Sequence, residues 1–239
     1  MVFEELFKGG PVFACGDSVF APGTDAVVLA DFADVKFSKN ICDIGCGCGV
    51  LAVVSAIKNP GAAVTALDIQ PEACRITMEN IKENRLEGRI NVICGDIREY
   101  KSLFVSGSFD HIISNPPYFP AGSGKSSAAF EIARQEVKCS LYDIISAVSY
   151  MLKYGGYFSL VHRADRAAEV IWALSEAGLE PKIIRLVQHK PDSIPSLILI
   201  KCKNGGKKGV SFLPNLILAN SDGTRSREIL SIYEKRWEA

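Results

Sequence analysis

Seven consecutive residues, Asp43-Ile44-Gly45-Cys46-Gly47-Cys48-Gly49, carry the strongest chemical signal in the chain. Glycines at alternate positions allow a tight turn and close approach of a ligand to the backbone, and an acid stands two residues ahead of the first one. The spacing is G-x-G-x-G, whereas the dinucleotide pattern is G-x-G-x-x-G. Asp68 follows nineteen residues after Gly49, and Gly95-Asp96 lies further on. A carboxylate at the first position can accept from both hydroxyls of a ribose, and one at the second from the amino group of adenine. Together these features suit an adenosine without a pyrophosphate. The second signal is Ser114-Asn115-Pro116-Pro117-Tyr118-Phe119. Alone, Pro-Pro after an apolar run is a stiff stop. Beside an adenosine site it becomes a rigid corner that presents an amide and an aromatic ring together.

Such residues need strand ends to stand on. Asn40–Ile44 reads as a buried strand, Val50–Ile57 as a helix stopped by Asn59-Pro60-Gly61, Val64–Ile69 as a second strand and Pro71–Asn84 as a helix with Pro in its first turn. Ile90–Cys94 and Phe109–Ser114 read as the third and fourth strands. Leu141–Leu152 is a helix closed by Gly155-Gly156, Gly156–His162 the fifth strand, and Asp165–Ala177 a helix ending at Gly178. Lys182–Gln188 and Ser196–Lys203 have no helix between them, which predicts an antiparallel hairpin at the sheet edge. Gly23-Thr24-Asp25 reads as the cap of a leading helix, Ala26–Phe32. The alternation predicts an α/β fold: a Rossmann-like, doubly wound, seven-stranded sheet, mostly parallel and buried on both faces. One domain over 1–239 is expected, with an N-terminal extension (1–39), a core (40–203) and a C-terminal tail (204–239).

This order of features resembles the class I methyltransferase family, whose cofactor is S-adenosyl-L-methionine and whose product is S-adenosyl-L-homocysteine. The resemblance implies that Thr24, Asp25, Asp43, Gly45, Gly47, Gly49, Asp68, Ile69, Asp96, Ile97 and Asn115 bind that cofactor, without a metal. The corner resembles the [DNS]-P-P-[YFW] motif of methyltransferases acting on amino nitrogens conjugated to a π-system: adenine N6, cytosine N4 or a glutamine amide. It implies catalytic roles for Asn115, Pro116, Pro117 and Tyr118. The chemistry makes sense of the residue types. A conjugated amino group is a poor nucleophile because its lone pair is delocalised. The Asn115 side-chain oxygen and the Pro116 carbonyl can accept its two hydrogens and favour a pyramidal nitrogen, while Tyr118 stacks on the planar group. No strong base is needed, since the proton can leave after transfer. His111 and His162, on strands, are read as structural.

Gly23–Ala30, the glycine loop, Asn115–Phe119, Ala133-Arg134-Gln135-Glu136, Val161-His162-Arg163 and Lys190-Pro191 occur in an order similar to the bacterial tRNA1(Val) adenine-37 N6-methyltransferases over nearly the full length. That resemblance implies an unpaired adenine beside the anticodon as acceptor, a base that costs little to unstack. It also implies RNA contacts at Phe119, Arg134, Arg163, Lys190, Lys201 and Lys203, with Lys182, Arg185, Lys207 and Lys208 in the same basic hairpin. The same lysines are equally what an exposed sheet edge carries for protection. Two departures stand out: Gln135 occupies a place where that family often has His, and Gly223-Thr224-Arg225-Ser226-Arg227-Glu228 replaces its usual Tyr-Thr-Glu stretch.

Composition is consistent with this reading. In 239 residues, 48% are hydrophobic and the net charge is zero, but residues 1–150 carry −5 and residues 151–239 carry +5. That split is compatible with one face meeting a polyanion such as RNA. Of eight cysteines only Cys42, Cys46 and Cys48 cluster, without a second group at zinc spacing, so they read as small buried residues. The start lacks a signal-peptide layout and no apolar run reaches membrane length, so a cytoplasmic monomer is expected. Gly124-Lys125-Ser126 is not a phosphate loop, because Phe119 stands where its first glycine belongs. The Gly/Ser-rich stretch 119–127 reads as a loop at the sheet's carboxyl edge. Adenine in ribosomal RNA and a glutamine amide stay open as acceptors, although the stretch before residue 20 leaves no room for the helical domain usual in glutamine methyltransferases. Rivals of another class are a non-catalytic binding module and an NAD-dependent oxidoreductase.

Overall fold

Strands that are apolar at consecutive positions can be buried only in a sheet covered on both faces. Residues 195–204 show this most clearly. Leu197 and Leu199 enter one core cluster, while Ile198, Ile200 and Cys202 enter the other. The computed structural model describes residues 2–15, 22–116 and 139–234 of the chain.

Two short strands, β1 (Val2–Glu5) and β2 (Val12–Cys15), form an antiparallel hairpin ahead of α1 (Thr24–Phe32). The alternating core follows: β3 (Asn40–Ile44), α2 (Val50–Lys58), β4 (Ala63–Asp68), α3 (Pro71–Glu83) and β5 (Ile90–Cys94). A 3-10 turn leads to the short α4 (Tyr100–Leu103), then come β6 (Phe109–Ser114), α5 (Leu141–Met151), β7 (Leu152–Arg163), α6 (Ala167–Glu176), β8 (Leu179–Gln188) and β9 (Pro195–Asn204). Helices α1, α2 and α3 cover one face, and α4, α5 and α6 the other. Each fully buried aliphatic side chain in these layers contributes about 1.5–3 kcal/mol.

The strand order is β10-β8-β9-β7-β6-β3-β4-β5, with β11 also on β8. All pairs among β3 to β7 are parallel, and β9 runs antiparallel to both β7 and β8. The doubly wound α/β sheet is therefore present, but among the described residues it has nine strands where seven were expected. The additional two are β10 (Ser211–Phe212) and β11 (Leu216–Ile217), both parallel to β8 and both from the stretch read as a tail. Two-residue strands leave no periodic pattern for a sequence reading to find. The terminal hairpin also turns inward. Its second strand, β9, lies between β7 and β8, because the apolar run Leu197–Ile200 is buried on both faces while β8 buries only part of its length.

The C-terminal stretch closes with α7 (Arg227–Glu234), which sinks Ile229 and Ile232 into the core of the α1–α3 face. Arg185 holds it there, donating from Nη2 to both carboxylate oxygens of Glu228 at 2.7 and 2.8 Å and from Nε to Pro214 O at 2.9 Å. The leading helix differs at its start: Gly23 is the N-cap, no side chain caps it, and Thr24 and Asp25 are already helical. Asn80 of α3 and its C-cap Asn84 dock the N-terminal hairpin, accepting from Ala14 N (2.8 Å) and Val12 N (2.9 Å). Asn80 also donates to Cys48 O at 2.8 Å, so one buried amide joins hairpin, helix and glycine loop.

Candidate active site

Parallel strands bring β3, β4, β5 and β6 to end at one edge, and a cavity of about 310 Å³ lies across those ends. Its floor is the glycine loop. Gly45, Gly47 and Gly49 all adopt positive φ (74°, 55° and 81°), a region open to glycine and costly for other residues. A Cβ built on Gly45 or Gly47 meets no atom within 4 Å, so a side chain there would project into the space that a ligand needs. Gly49 is glycine for a second reason: a Cβ would come within 2.8 Å of Thr77 Cγ2. Thr77 in turn donates to Gly47 O at 2.9 Å and pins the loop from beneath.

Asp68, at the end of β4, is only 7% exposed and lines the cavity. Its Oδ2 accepts from Gly47 N and its Oδ1 from Gln70 N, each at 2.9 Å. These bonds fix the carboxylate while each oxygen keeps a second lone pair that can accept from a ligand. Asp96, after β5, accepts from Arg98 N at 2.9 Å and is clasped by the Arg98 guanidinium, which holds its carboxyl below the usual range and keeps it an acceptor. Ile69 and Ile97 follow these two acids and give the same wall an apolar slot.

The opposite wall is the end of β6. Ser114 is buried and donates to Ile44 O at 2.8 Å, which ties this strand end to that of β3. Asn115 and Pro116 follow directly and line the cavity. Ile144, near the start of α5, and Cys139 just before it complete the wall, held by a capping box in which Ser140 Oγ accepts from Asp143 N and Ser140 N donates to Asp143 Oδ2. Pro117, Tyr118, Phe119 and Arg134 lie outside the described residues.

Of the residues expected to bind the cofactor, Gly45, Gly47, Asp68, Ile69, Asp96, Ile97 and Asn115 therefore meet at one cavity. Gly49, Thr24 and Asp25 are not among its lining residues, and Gly23 and Ala26 represent α1 there instead. Asp43 is placed beneath the loop, 1% exposed. Its Oδ2 accepts from Ala52 N at 3.1 Å, so it serves as an internal cap for α2, and among the described residues its Oδ1 has no partner. Burial pushes its carboxyl up to about 8, against the Ala52 bond and aided by the nearby Asp68 charge. A raised folded value means that the native state binds a proton the unfolded chain gives up near pH 4, so stability falls as pH rises toward 8. The melting temperature of the ligand-free protein is expected to drop between pH 6.5 and 8.5, and Asp43→Asn to flatten that slope; equal slopes in thermal melts refute it. The window avoids His111, whose burial lowers it to about 3 and whose contribution is lost only on acidification.

Sequence reasoning did not single out Gln70, Thr77 or Cys139, and it took Ser114 only as the first residue of the corner. None has a distinctive spacing; tertiary packing brings them here. His111 and His162 are buried in strands, His111 Nε2 within 2.9 Å of Ser159 Oγ and His162 Nδ1 accepting from Arg163 N at 2.9 Å. Cys42, Cys46 and Cys48 are buried, and Cys46 Sγ lies 3.6 Å from Thr77 Oγ1. Among the described residues no group of three or more His, Cys, Asp or Glu is placed to hold a metal ion, and no helix is long and apolar enough to cross a membrane.

The basic residues divide between two edges. Arg163 ends β7, next to β6, and is paired with Asp165. Lys190 lies in the β8–β9 loop at the same edge as the cavity. Because β9 runs the other way, Lys201 and Lys203 are at the opposite edge. Lys182 is occupied internally, donating to Lys207 O at 2.9 Å, as Arg185 is by Glu228.

An open α/β sheet with a glycine floor, an acid on the next strand end and an amide corner across from it defines a transferase that handles an adenosyl group at its carboxyl edge. Residues 16–176 match the methyltransferase small domain, and the chain belongs to that family. Its relatives narrow the class. A tRNA1(Val) (adenine(37)-N6)-methyltransferase of Bacteroides fragilis is 34% identical over 178 residues, which cover 74% of this chain and 75% of the relative. A protein of the same name from a Flavobacteriaceae bacterium is 36% identical over 143 residues, 60% of this chain and 59% of its own length. Among solved structures, one described as a predicted O-methyltransferase from Agrobacterium tumefaciens aligns with a TM-score of 0.72 at 22% identity, covering 90% of this chain and 98% of that one, a likeness of fold.

Proposed function

We propose that the chain transfers the methyl group of S-adenosyl-L-methionine to the N6 amino group of an unpaired adenine in tRNA, at position 37 beside the anticodon. The observation that carries this reading is the meeting of the Asp68 wall and the Asn115-Pro116 corner at one cavity. The relatives named for that reaction support the choice of acceptor.

When bound, the cofactor supplies an electrophilic methyl on a sulfonium. Asp68 accepts from the ribose hydroxyls, Asp96 from the adenine amino group of the cofactor, and Gly45 and Gly47 leave room for its main body. In the sheet β4 and β5 lie on one side of β3 and β6 on the other. Adjacent strands are spaced about 4.8 Å, so the acids and the corner stand at two ends of a span of roughly 14 Å. The adenosyl end therefore belongs over β4 and β5 and the reacting end toward β6. There the Asn115 side-chain oxygen and the Pro116 carbonyl accept the two hydrogens of the acceptor amino group and draw its lone pair out of conjugation. Tyr118 follows at the next position but one and would stack on the acceptor base. Arg163 and Lys190 stand on the same edge, and this reading gives them the contacts with RNA phosphates.

The test is incubation of the protein with labelled cofactor and separate pools of unmodified tRNA, ribosomal RNA and protein, followed by mass spectrometry of the product. N6-methyladenosine at position 37 of tRNA is the expected result. Label in ribosomal RNA or in a glutamine side chain would move the acceptor, and label in none would remove the reading.

A further inference from the structure

A second cavity, of about 340 Å³, opens at the amino edge of the sheet, one strand length from the site above. It is built from residues at the starts of β6 and β7, the loop before β3 and the end of β9. Lys201 and Lys203, two apart on β9, point the same way, and their Nζ atoms lie 4.9 and 5.6 Å from the centre of one ring, Tyr157. Two ammonium groups thus lie over one ring; Lys201 lines the cavity and Lys203 stands two residues further along β9. Among the described residues neither has a carboxylate within ion-pair distance, and Lys201 makes only a 3.5 Å contact with Asp34 O. Burial lowers the pKa of Lys201, opposed by attraction to Asp34.

The acid deeper in the cavity does not relieve them. Asp110 is already engaged by Lys153 Nζ at 2.7 Å and by Lys39 N and Asn40 N at 3.0 and 2.8 Å. A half-buried cation is costly unless an anion joins it. The rim adds a second feature. Phe37 and Tyr154 line the same opening at 95% and 86% exposure, flat apolar surfaces turned to solvent where a planar ring can stack.

We propose that this amino-edge cavity is a second binding site that takes a nucleoside phosphate, the phosphate between Lys201 and Lys203 and the base against Phe37 or Tyr154. A nucleotide within an RNA strand and a free mononucleotide share that chemistry. The inference rests on the geometry of this edge and not on the acceptor assigned above.

The test uses the full chain with S-adenosyl-L-homocysteine saturating the first site, so that an added nucleotide cannot occupy its adenosine pocket. Adenosine 5′-monophosphate and inorganic phosphate are titrated by calorimetry, and a fluorescent unstructured RNA oligonucleotide by anisotropy at several salt concentrations. Lys201→Met with Lys203→Met keeps the side-chain stems and removes both charges. It is expected to weaken the monophosphate or the RNA at least about tenfold and, for RNA, to lower the salt slope by about one to two, with homocysteine-cofactor affinity unchanged. A response to the monophosphate alone assigns a free nucleotide, and a response to RNA alone assigns a strand. Binding of neither ligand to the wild type, or equal binding to wild type and double variant, overturns the proposal. If the double variant loses cofactor affinity, Phe37→Ser at the exposed rim replaces it, and unchanged monophosphate and RNA affinities there overturn the proposal as well.

Discussion

Replacing Asn115 with alanine is expected to slow methyl transfer about 100- to 1000-fold, the loss typical when one preorganised hydrogen-bonding group at a reacting centre is removed. The dissociation constant for S-adenosyl-L-homocysteine should change little. The reason is positional. Asn115 stands beyond β6, whereas Asp68 and Asp96, proposed to hold the adenosyl group, end β4 and follow β5, on the far side of β3. The fold around it should survive, because the strand end is anchored by Ser114 to Ile44 O and not by the Asn115 amide. Single-turnover transfer and calorimetry on the same preparation check the claim. An equal loss of both quantities would give Asn115 a role in cofactor binding instead.

Replacing Asp68 with alanine should have the opposite signature, weakening the cofactor by about 1–3 kcal/mol, or roughly 5- to 150-fold in dissociation constant. Two losses contribute: the acceptor for the ribose hydroxyls, and the bonds that hold Gly47 N and Gln70 N. Asp68→Asn separates them in part, since an amide can hold only one of those backbone groups as an acceptor and turns its nitrogen toward the other. It should fall between wild type and alanine. An unchanged cofactor affinity in Asp68→Ala would remove Asp68 from the site.

These two variants probe opposite walls, so their effects on catalytic efficiency should add. Asp43 lies a layer below both and acts on the loop through α2, which is why its expected signature is a change in stability with pH.

Much of this was legible beforehand because the signals are local. The strand Asn40–Ile44, the strand Ile90–Cys94 and the strand Phe109–Ser114 begin and end where apolar runs and breakers place them. Gly45 and Gly47 carry a requirement for positive φ that any reader of the sequence can state. Asp68 and Asp96 take their places from strand ends, and strand ends follow from periodicity. Other features had no local trace. The two-residue strands β10 and β11 form only because β8 offers an unpaired edge. The inward position of β9 depends on competition among strands for a doubly covered place. Fold class, the composition of the glycine floor and the identity of the amide corner were thus properties of short stretches of sequence, set by steric and hydrogen-bonding rules that act within a few residues. Only the tertiary structure decided that Asp43 is buried beneath the loop, that Lys201 and Lys203 sit a strand length away from Lys190, and that Ser114 and Thr77 brace the site. Those outcomes depend on strand direction and on which side chains meet across the core, and neither is set by neighbours in the chain.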